Sequence, residues 1–364
     1  MSNNIEGIFS LFSADGTFLK SEVFGNGHIH DTFRIVTSEK EKDDYILQRL
    51  NNKIFKNIPQ LQHNIELVTN HILNKLKNTP GADIKRGCLR LVPAKNGTSW
   101  LQDQDQNTWR MYVYIPDHKS FNVVDSPDMA YEGGRAVGKF QAMLSDLPGE
   151  SLFDTIPFFH DVEKRLETFM NVIKNDPVKR VPAARNEIKL VLDRAEKMKI
   201  ILRLGKEGKI PLRITHNDTK FNNILFDTNN KALCIIDLDT VMPGYVHYDF
   251  GDAIRTATNT AAEDEPDLSK IEMNISLFRA YSEGFLSETS QTLNLIEKEY
   301  LAFAPGLVTY IMGLRFLTDY IDGDNYYKIH HEHHNLQRAK AQLKLVRSME
   351  EQYADMQSII KNII

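Results

Sequence analysis

The chain is poor in cysteine: Cys88 and Cys234 are the only two in 364 residues. That excludes a disulfide framework and makes a reducing, cytoplasmic setting the expectation. Long apolar runs are also missing. The most apolar window, Phe303–Leu317, is short and interrupted by Arg315, so no membrane partner is expected. The opening MSNNIEG puts no basic residues ahead of an apolar run, and no secretory signal is expected. Positive charge is not in excess, since 44 Lys and Arg against 49 Asp and Glu leave a net charge of −5. A nucleic-acid partner needs a basic footprint, so none is expected. Internal repeats and low-complexity tracts are absent. What is left, 41% hydrophobic and 26% charged residues, is ordinary globular composition at a length that suits one or two domains.

The richest stretch is Leu212–Thr240, LRITHNDTKFNNILFDTNNKALCIIDLDT. Ile214-Thr215 closes a short apolar run, and His216-Asn217-Asp218 follows. Ile224–Phe226 and Ala232–Ile236 are apolar runs around the turn residues Asp227–Asn230, which reads as a β-hairpin. A hairpin brings its ends together, so Asn223 and Asp237 are expected side by side, with Asp218 just beyond them. Hard oxygen donors of this kind suit Mg²⁺. Phosphoryl transfer from a nucleotide also needs a carboxylate to orient or deprotonate the attacking hydroxyl. The kinase loop H-R-D-x-x-x-x-N, followed by a second Asp, has the same spacing as His216, Asp218 and Asn223.

Asp249-Phe250-Gly251 spells the kinase D-F-G literally, but it lies 26 residues after Asn223, whereas Asp237 lies 14 after it. Only Asp237 ends the hairpin that starts at Asn223, so the metal is assigned to Asp237. Asp249 is expected to cap a helix beginning near Phe250 and to satisfy backbone groups of the catalytic loop.

On the motif HxDxxxxN…IIDxD the chain resembles the aminoglycoside phosphotransferase and choline kinase superfamily, small-molecule kinases with a protein-kinase-like fold. THNDTKFNNIL, IDLDTVMPG and DFGDAIR are similar, more narrowly, to N-acetylhexosamine 1-kinases. So are Gly25–His28, Tyr45–Asn51, Leu314–Tyr320 with Gly323-Asp324, and His334–Leu336. The resemblance spans nearly the whole chain. It implies an α+β, two-lobed fold with a β-rich nucleotide-binding lobe over 1–115 and a mainly helical catalytic lobe over 116–364. It implies ATP as co-substrate and Mg²⁺ as cofactor, with Lys220 on the transferred phosphate.

In the first lobe, Gly25-Asn26-Gly27-His28 is a glycine turn that brings backbone near phosphates, or an ordinary hairpin turn. The resemblance favours Gly25, Gly27 and His28 as nucleotide contacts. Thr32–Val36, Tyr45–Leu50, Leu89–Val92 and Trp109–Tyr114 read as strands. In most related kinases a lysine on the second of these pairs with the phosphates; here Gln48 stands at that position, as in the N-acetylhexosamine kinases. Arg49 points to the other face and reads as a surface charge. Ile58–Leu76 has helical spacing, and Glu66 beside its apolar stripe is a solvated glutamate or one that orients Gln48. The strand ending at Pro116 corresponds to the hinge whose backbone binds adenine, so Tyr112 and Tyr114 are nucleotide-binding candidates unless they only pack.

Downstream, Ser126-Pro127 starts a helix to about Leu144. Further helices are expected over His160–Lys174, Ala183–Leu204, Asp264–Phe285, Ile296–Tyr320 and Leu336–Ile364. The run His330–His334 is read as a loop at the cleft rim rather than a metal cluster. Arg315 and Asp319 are four apart, so an intrahelical ion pair is the simple reading. A guanidinium in an apolar helix is nevertheless costly unless it reaches a polar cleft. Arg315 and Tyr326 are therefore the substrate-binding candidates. Asp239 reads as a second metal contact, a substrate contact or local structure.

The resulting expectation is transfer of the ATP γ-phosphate to C1-OH of an N-acetylhexosamine, with Asp218 and Lys220 catalytic. The alternatives are a kinase for an aminoglycoside, choline, homoserine or another sugar, and a catalytically degenerate nucleotide-binding protein.

Overall fold

The computed structural model describes residues 4–25 and 29–364. A short helix, α1 (Ile5–Phe9), precedes strands β1 (Phe18–Val23), β2 (Asp31–Thr37) and β3 (Tyr45–Leu50). Helix α2 (Ile58–Lys77) follows, then β4 (Trp100–Gln102) and β5 (Thr108–Val113). The strands form one antiparallel sheet in the order β1-β2-β3-β5-β4. Side chains alternate across it. Tyr45, Leu47, Trp109 and Met111 pack with Phe9, Phe12 and Ile35 in a small outer core. Tyr112 faces the other way and joins the large core against α2. Helix α2 buries the residues its 3.6-residue spacing marks, from Ile58 through Leu61, Ile65, Val68 and Ile72 to Leu76. Asn57 caps it by accepting from the Gln60 N–H. The strand expected over Leu89–Val92 does not form. The Val92 N–H donates to Met111 and the Val113 N–H to Arg90, but Pro93 has no N–H with which to continue the ladder.

The rest is mainly helical. Helix α3 (Pro127–Met143) starts at the Ser126 cap. Helix α4 (Val162–Asn175) is capped by Asp161. In place of a single helix over Ala183–Leu204 there are three pieces, α5 (Arg185–Leu192), α6 (Ala195–Met198) and α7 (Ile200–Lys206). Strands β6 (Arg213–Thr215), β7 (Ile224–Phe226), β8 (Ala232–Ile235) and β9 (Met242–Gly244) form the two small sheets β6-β9 and β7-β8. Helix α8 (Val246–Ala257) lies behind them. Helix α9 (Ile275–Thr289) begins eleven residues later than expected (275 − 264). Pro266 cannot donate to a helix there, and Asn274 supplies the cap, accepting from Ser276 and Leu277 N–H. Helices α3 and α9 cross at very close range. A Cβ on Gly134 would sit 2.1 Å from the Tyr281 carbonyl oxygen, and one on Gly284 2.0 Å from that of Tyr131.

Helices α10 (Leu295–Glu299), α11 (Ala304–Asp322), α12 (His334–Glu351) and α13 (Tyr353–Ile363) complete the chain. Leu295–Asp322 is long and apolar enough to span a membrane by length and composition, against the sequence reading. Its most apolar window is 78% buried, because α11 fills the second hydrophobic core against α4 and α12.

Candidate active site

Hairpin β7-β8 pairs Ile224 with Ile235, and the Ile236 N–H donates to the Asn223 carbonyl at 2.9 Å. Asp227 makes the turn by accepting from the Asn229 and Lys231 N–H groups. The two ends therefore meet, with Asn223 on one side and Asp237 on the other. Asp237 adopts φ 62° and ψ 56°, a left-handed conformation that Asp tolerates better than most residues, and its side chain opens to the cleft. Crowding by protein atoms, then the nearby Asp239 and Asp218 carboxylates, push its pKa up to about 6. The Asn223 amide N–H₂ donates to the Asp218 carbonyl at 2.9 Å, which leaves Oδ1 as a free acceptor. Asn223 Oδ1 and the crowded, under-neutralised Asp237 carboxylate are hard oxygen donors. They fit Mg²⁺, which takes one or two protein oxygens and completes its shell with water and phosphate.

The loop from His216 to Asn223 is braced by its surroundings. Asp249 accepts from the N–H of His216 at 2.8 Å and of Asn217 at 2.7 Å, and from Gln141 Nε2 at 2.6 Å. Helix α8 starts at Val246, so Asp249 lies in its first turn instead of capping it, and its whole side chain serves the loop. Asn217 has φ 65° and its amide donates to the Thr215 and Thr240 carbonyls. His216 Nε2 lies 2.9 Å from the Ile236 carbonyl, and its Nδ1 faces the Asp218 N–H, which defines the Nε2–H tautomer. Asp218 then points outward to Lys220 Nζ at 3.0 Å. Burial favours the protonated Asp218 carboxyl, but Lys220 and His216 outweigh it and hold its pKa below the usual value. Asp218 raises the Lys220 pKa in return. Behind them the buried Arg255 is held by Asp252 at 2.9 Å and Glu263 at 2.8 Å.

Arg315, the substrate-binding candidate, does not pair with Asp319. Asp319 instead accepts from the Tyr326 and Tyr327 N–H groups and from Asn335 Nδ2, fixing the loop after α11. The Arg315 guanidinium lies over Phe159 at 4.9 Å, Tyr327 at 5.6 Å and Tyr326 at 5.9 Å. Arg165 donates to the Phe159 carbonyl, and neither arginine has a carboxylate partner among the described residues. Burial and then Arg315 lower the Arg165 pKa to about 10. His160 bridges this group to the catalytic loop, with Nε2 3.2 Å from the Asn217 carbonyl. His334 packs on His330 and His331 and pairs with Asp264, and among the described residues no cluster of three His, Cys, Asp or Glu could hold a metal.

The nucleotide-side candidates fare differently. Gly25 has φ 74°, which suits glycine, and the Phe24 N–H donates to the Thr32 carbonyl; Gly27 and His28 lie outside the described residues. Tyr112 is buried in the large core, and Tyr114 lies beneath Arg34 at 4.3 Å. The Val113 and Tyr114 N–H groups are spent on Arg90 and Asp44. Gln48 meets Arg110 and Thr32 instead of Glu66. Asp239 is 3% exposed, with one oxygen on Arg110 and the other on Arg110 and His30, so it is not open to a substrate. Arg110, His30, His160 and Arg165 were not singled out from sequence. The available signal for Arg110 was a guanidinium inside the apolar strand TWRMYV.

The family model "Phosphotransferase enzyme family" (APH) matches residues 21–283. Among solved structures, choline kinase from Cryptosporidium parvum aligns over 98% of this chain and 96% of its own, with a TM-score of 0.60 at 13% identity. A microcompartment-associated aminopropanol kinase aligns over 97% of each chain, with a TM-score of 0.58 at 11% identity. A spectinomycin phosphotransferase in complex with ADP and spectinomycin aligns over 99% of this chain and 97% of its own, with a TM-score of 0.52 at 12% identity. These likenesses carry the fold, a β-sheet N-terminal region and a helical C-terminal part of the protein-kinase-like kind. The family match covers well over half of the chain, and the protein belongs to the phosphotransferase enzyme family.

Proposed function

We propose that this kinase transfers the γ-phosphate of ATP to the C1 hydroxyl of an N-acetylhexosamine, N-acetylglucosamine or N-acetylgalactosamine, giving the sugar 1-phosphate. The observation that carries the acceptor class is the pair Arg165 and Arg315, both without a carboxylate partner among the described residues and both against Phe159. Aminoglycosides and choline are cations, which such a pair repels. A neutral, oxygen-rich acceptor offers acceptors to the guanidinium N–H groups and an apolar ring face to Tyr326. The resemblance to N-acetylhexosamine 1-kinases points to the same acceptor.

Asp218 orients the C1 hydroxyl and takes its proton as the hydroxyl oxygen bonds to the γ-phosphorus and ADP leaves. Lys220, 3.0 Å from Asp218, neutralises charge on the moving phosphoryl group. Mg²⁺ held by Asn223 and Asp237 would supply charge neutralisation for the nucleotide phosphates. Lobes divided near Pro116 would enclose the nucleotide between the sheet and this loop. A panel of free sugars and amino alcohols with Mg-ATP tests the reading, with ADP release and the position of the phosphate as readouts. N-acetylhexosamines phosphorylated at C1 are expected; preferential turnover of choline or an aminoglycoside would overturn it.

A further inference from the structure

Gln48 leaves the phosphate side of the cleft without its usual lysine, and a buried arginine stands beside it. In the β3-β5 ladder Gln48 pairs directly with Arg110, so both side chains project from the same face of the sheet. Arg110 Nε donates to Gln48 Oε1 at 2.9 Å. Its two terminal nitrogens grip the two Asp239 oxygens, one of them at 2.7 Å. Asp239 Oδ2 also lies 2.8 Å from His30 Nε2. The Asn51 N–H donates to His30 Nδ1, so the ring carries its proton on Nε2 and donates it to Asp239. Arg110 is 1% exposed and Asp239 3%. Asp239 stands two residues after Asp237 in the chain, and its own carbonyl is held by the Thr155 hydroxyl.

We propose that Arg110 is a positioning residue for nucleotide binding. Its bidentate grip on Asp239 ties the sheet to the segment that follows Asp237 and so fixes the backbone that aims Asp237. Gln48 is then not a degraded site but a neutral neighbour that orients the arginine. The pair differs from the usual lysine–glutamate pair in what it joins: the sheet is tied to the segment that follows the metal-side aspartate, not to α2. This deepens the phosphoryl-transfer reading above and rests on it.

Losing Arg110 alone leaves the Asp239 carboxylate buried with only the His30 hydrogen bond, which threatens folding, whereas replacing both charges with apolar groups is tolerated far better. The decisive variant is therefore Arg110→Met with Asp239→Leu, alongside Arg110→Met and Arg110→Lys. Two readouts are used: the KM for Mg-ATP against the KM for the acceptor, and the thermal shift produced by Mg-ADP without acceptor. The double variant should fold, keep its acceptor KM, and lose about 10- to 100-fold in nucleotide affinity by both readouts. Arg110→Lys keeps the charge and loses the fork, so its loss should be smaller but measurable. A folded double variant with wild-type nucleotide affinity would overturn the proposal. If neither charge-deleting variant folds, wild-type nucleotide affinity in Arg110→Lys would overturn it. The Mg-ADP shift needs no acceptor, so a wrong acceptor assignment leaves this test standing.

Discussion

The two sides of the cleft are built differently. On the chemical side the polar groups of the catalytic loop are matched internally. Asp249 takes up two consecutive backbone N–H groups, Asn217 spends its amide on two carbonyls, and the Thr219 and Thr240 hydroxyls donate to the Asp249 and His216 carbonyls. On the acceptor side the matching stops. His160 Nδ1 and Tyr327 OH are buried without a partner, two of the eight such atoms among the described residues, and Arg315 has no carboxylate partner among them. A buried polar atom without a hydrogen bond is costly and is retained where something else completes it. The comparison teaches that the fold itself satisfies the polar groups of the His216–Asn223 loop, whereas it leaves part of the polar surface around Arg315 unmatched.

The sharpest way to break this contrast is at Asp218. Asp218→Asn should leave the fold and nucleotide binding intact, because the side chain's ionic partner is the part-exposed Lys220 and not the loop backbone. It should lower kcat by roughly 10²–10⁴-fold, the worth of general-base assistance. Steady-state kinetics on a well-folded variant checks this, and near-normal turnover would remove the assigned role. Asp249→Ala should behave in the opposite way. It strands the His216 and Asn217 N–H donors, each costing about 1–3 kcal/mol when buried, and removes one of two partners of Gln141 Nε2, so both the melting temperature and kcat should fall. Calorimetry beside kinetics separates the two aspartates: a variant that lost activity with an unchanged melting temperature would move Asp249 from bracing into chemistry.

These outcomes bear on what the amino-acid order makes visible. The hairpin and its metal-side pair are legible because their contacts are short in sequence, and Asn223 and Asp237 are joined by a turn that Asp227 spells out. Helix α2 is legible through its apolar period. The Arg110–Asp239 pair is not, because 129 residues separate the partners and only tertiary packing of the sheet on the segment after β8 brings them together. Tyr112 and Tyr114 suggest nucleotide contacts by sequence, but packing places Tyr112 in the core and Tyr114, just past the end of β5, beneath Arg34. The segment 264–273, expected as the start of a helix, carries only the short turn Leu268–Lys270, and the Thr260 hydroxyl donates to the Lys270 and Glu272 carbonyls.

Two smaller effects probe the acceptor side. Arg315→Ala should raise the KM for the sugar about 10- to 100-fold and leave the KM for ATP and the melting temperature nearly unchanged, since Arg315 braces no structure through a carboxylate. Equal rises in both KM values would contradict the division of the cleft. The smallest effect concerns His160. Burial, then Arg315, lowers its pKa from 6.5 to about 3, so the folded state holds the ring neutral where the unfolded chain takes up a proton. Its contribution to stability is therefore full above pH 6.5 and is lost as pH falls from there toward 3. His160→Asn should flatten the fall in melting temperature between pH 6.5 and about 5, where most carboxylates remain ionised. An unchanged slope would mean that the ring is protonated in the fold.

The central claim is that Asp218 acts on a sugar hydroxyl at C1. It is tested most directly by comparing ADP release with N-acetylglucosamine and with its 1-O-methyl glycoside under Mg-ATP. Methylation removes the nucleophile and leaves the acetamido group, the ring hydroxyls and their partners around Arg315 in place. Turnover of the free sugar and none of the glycoside is the expected result. Phosphorylation of the glycoside at a comparable rate would place the attacked hydroxyl elsewhere on the ring and contradict the account.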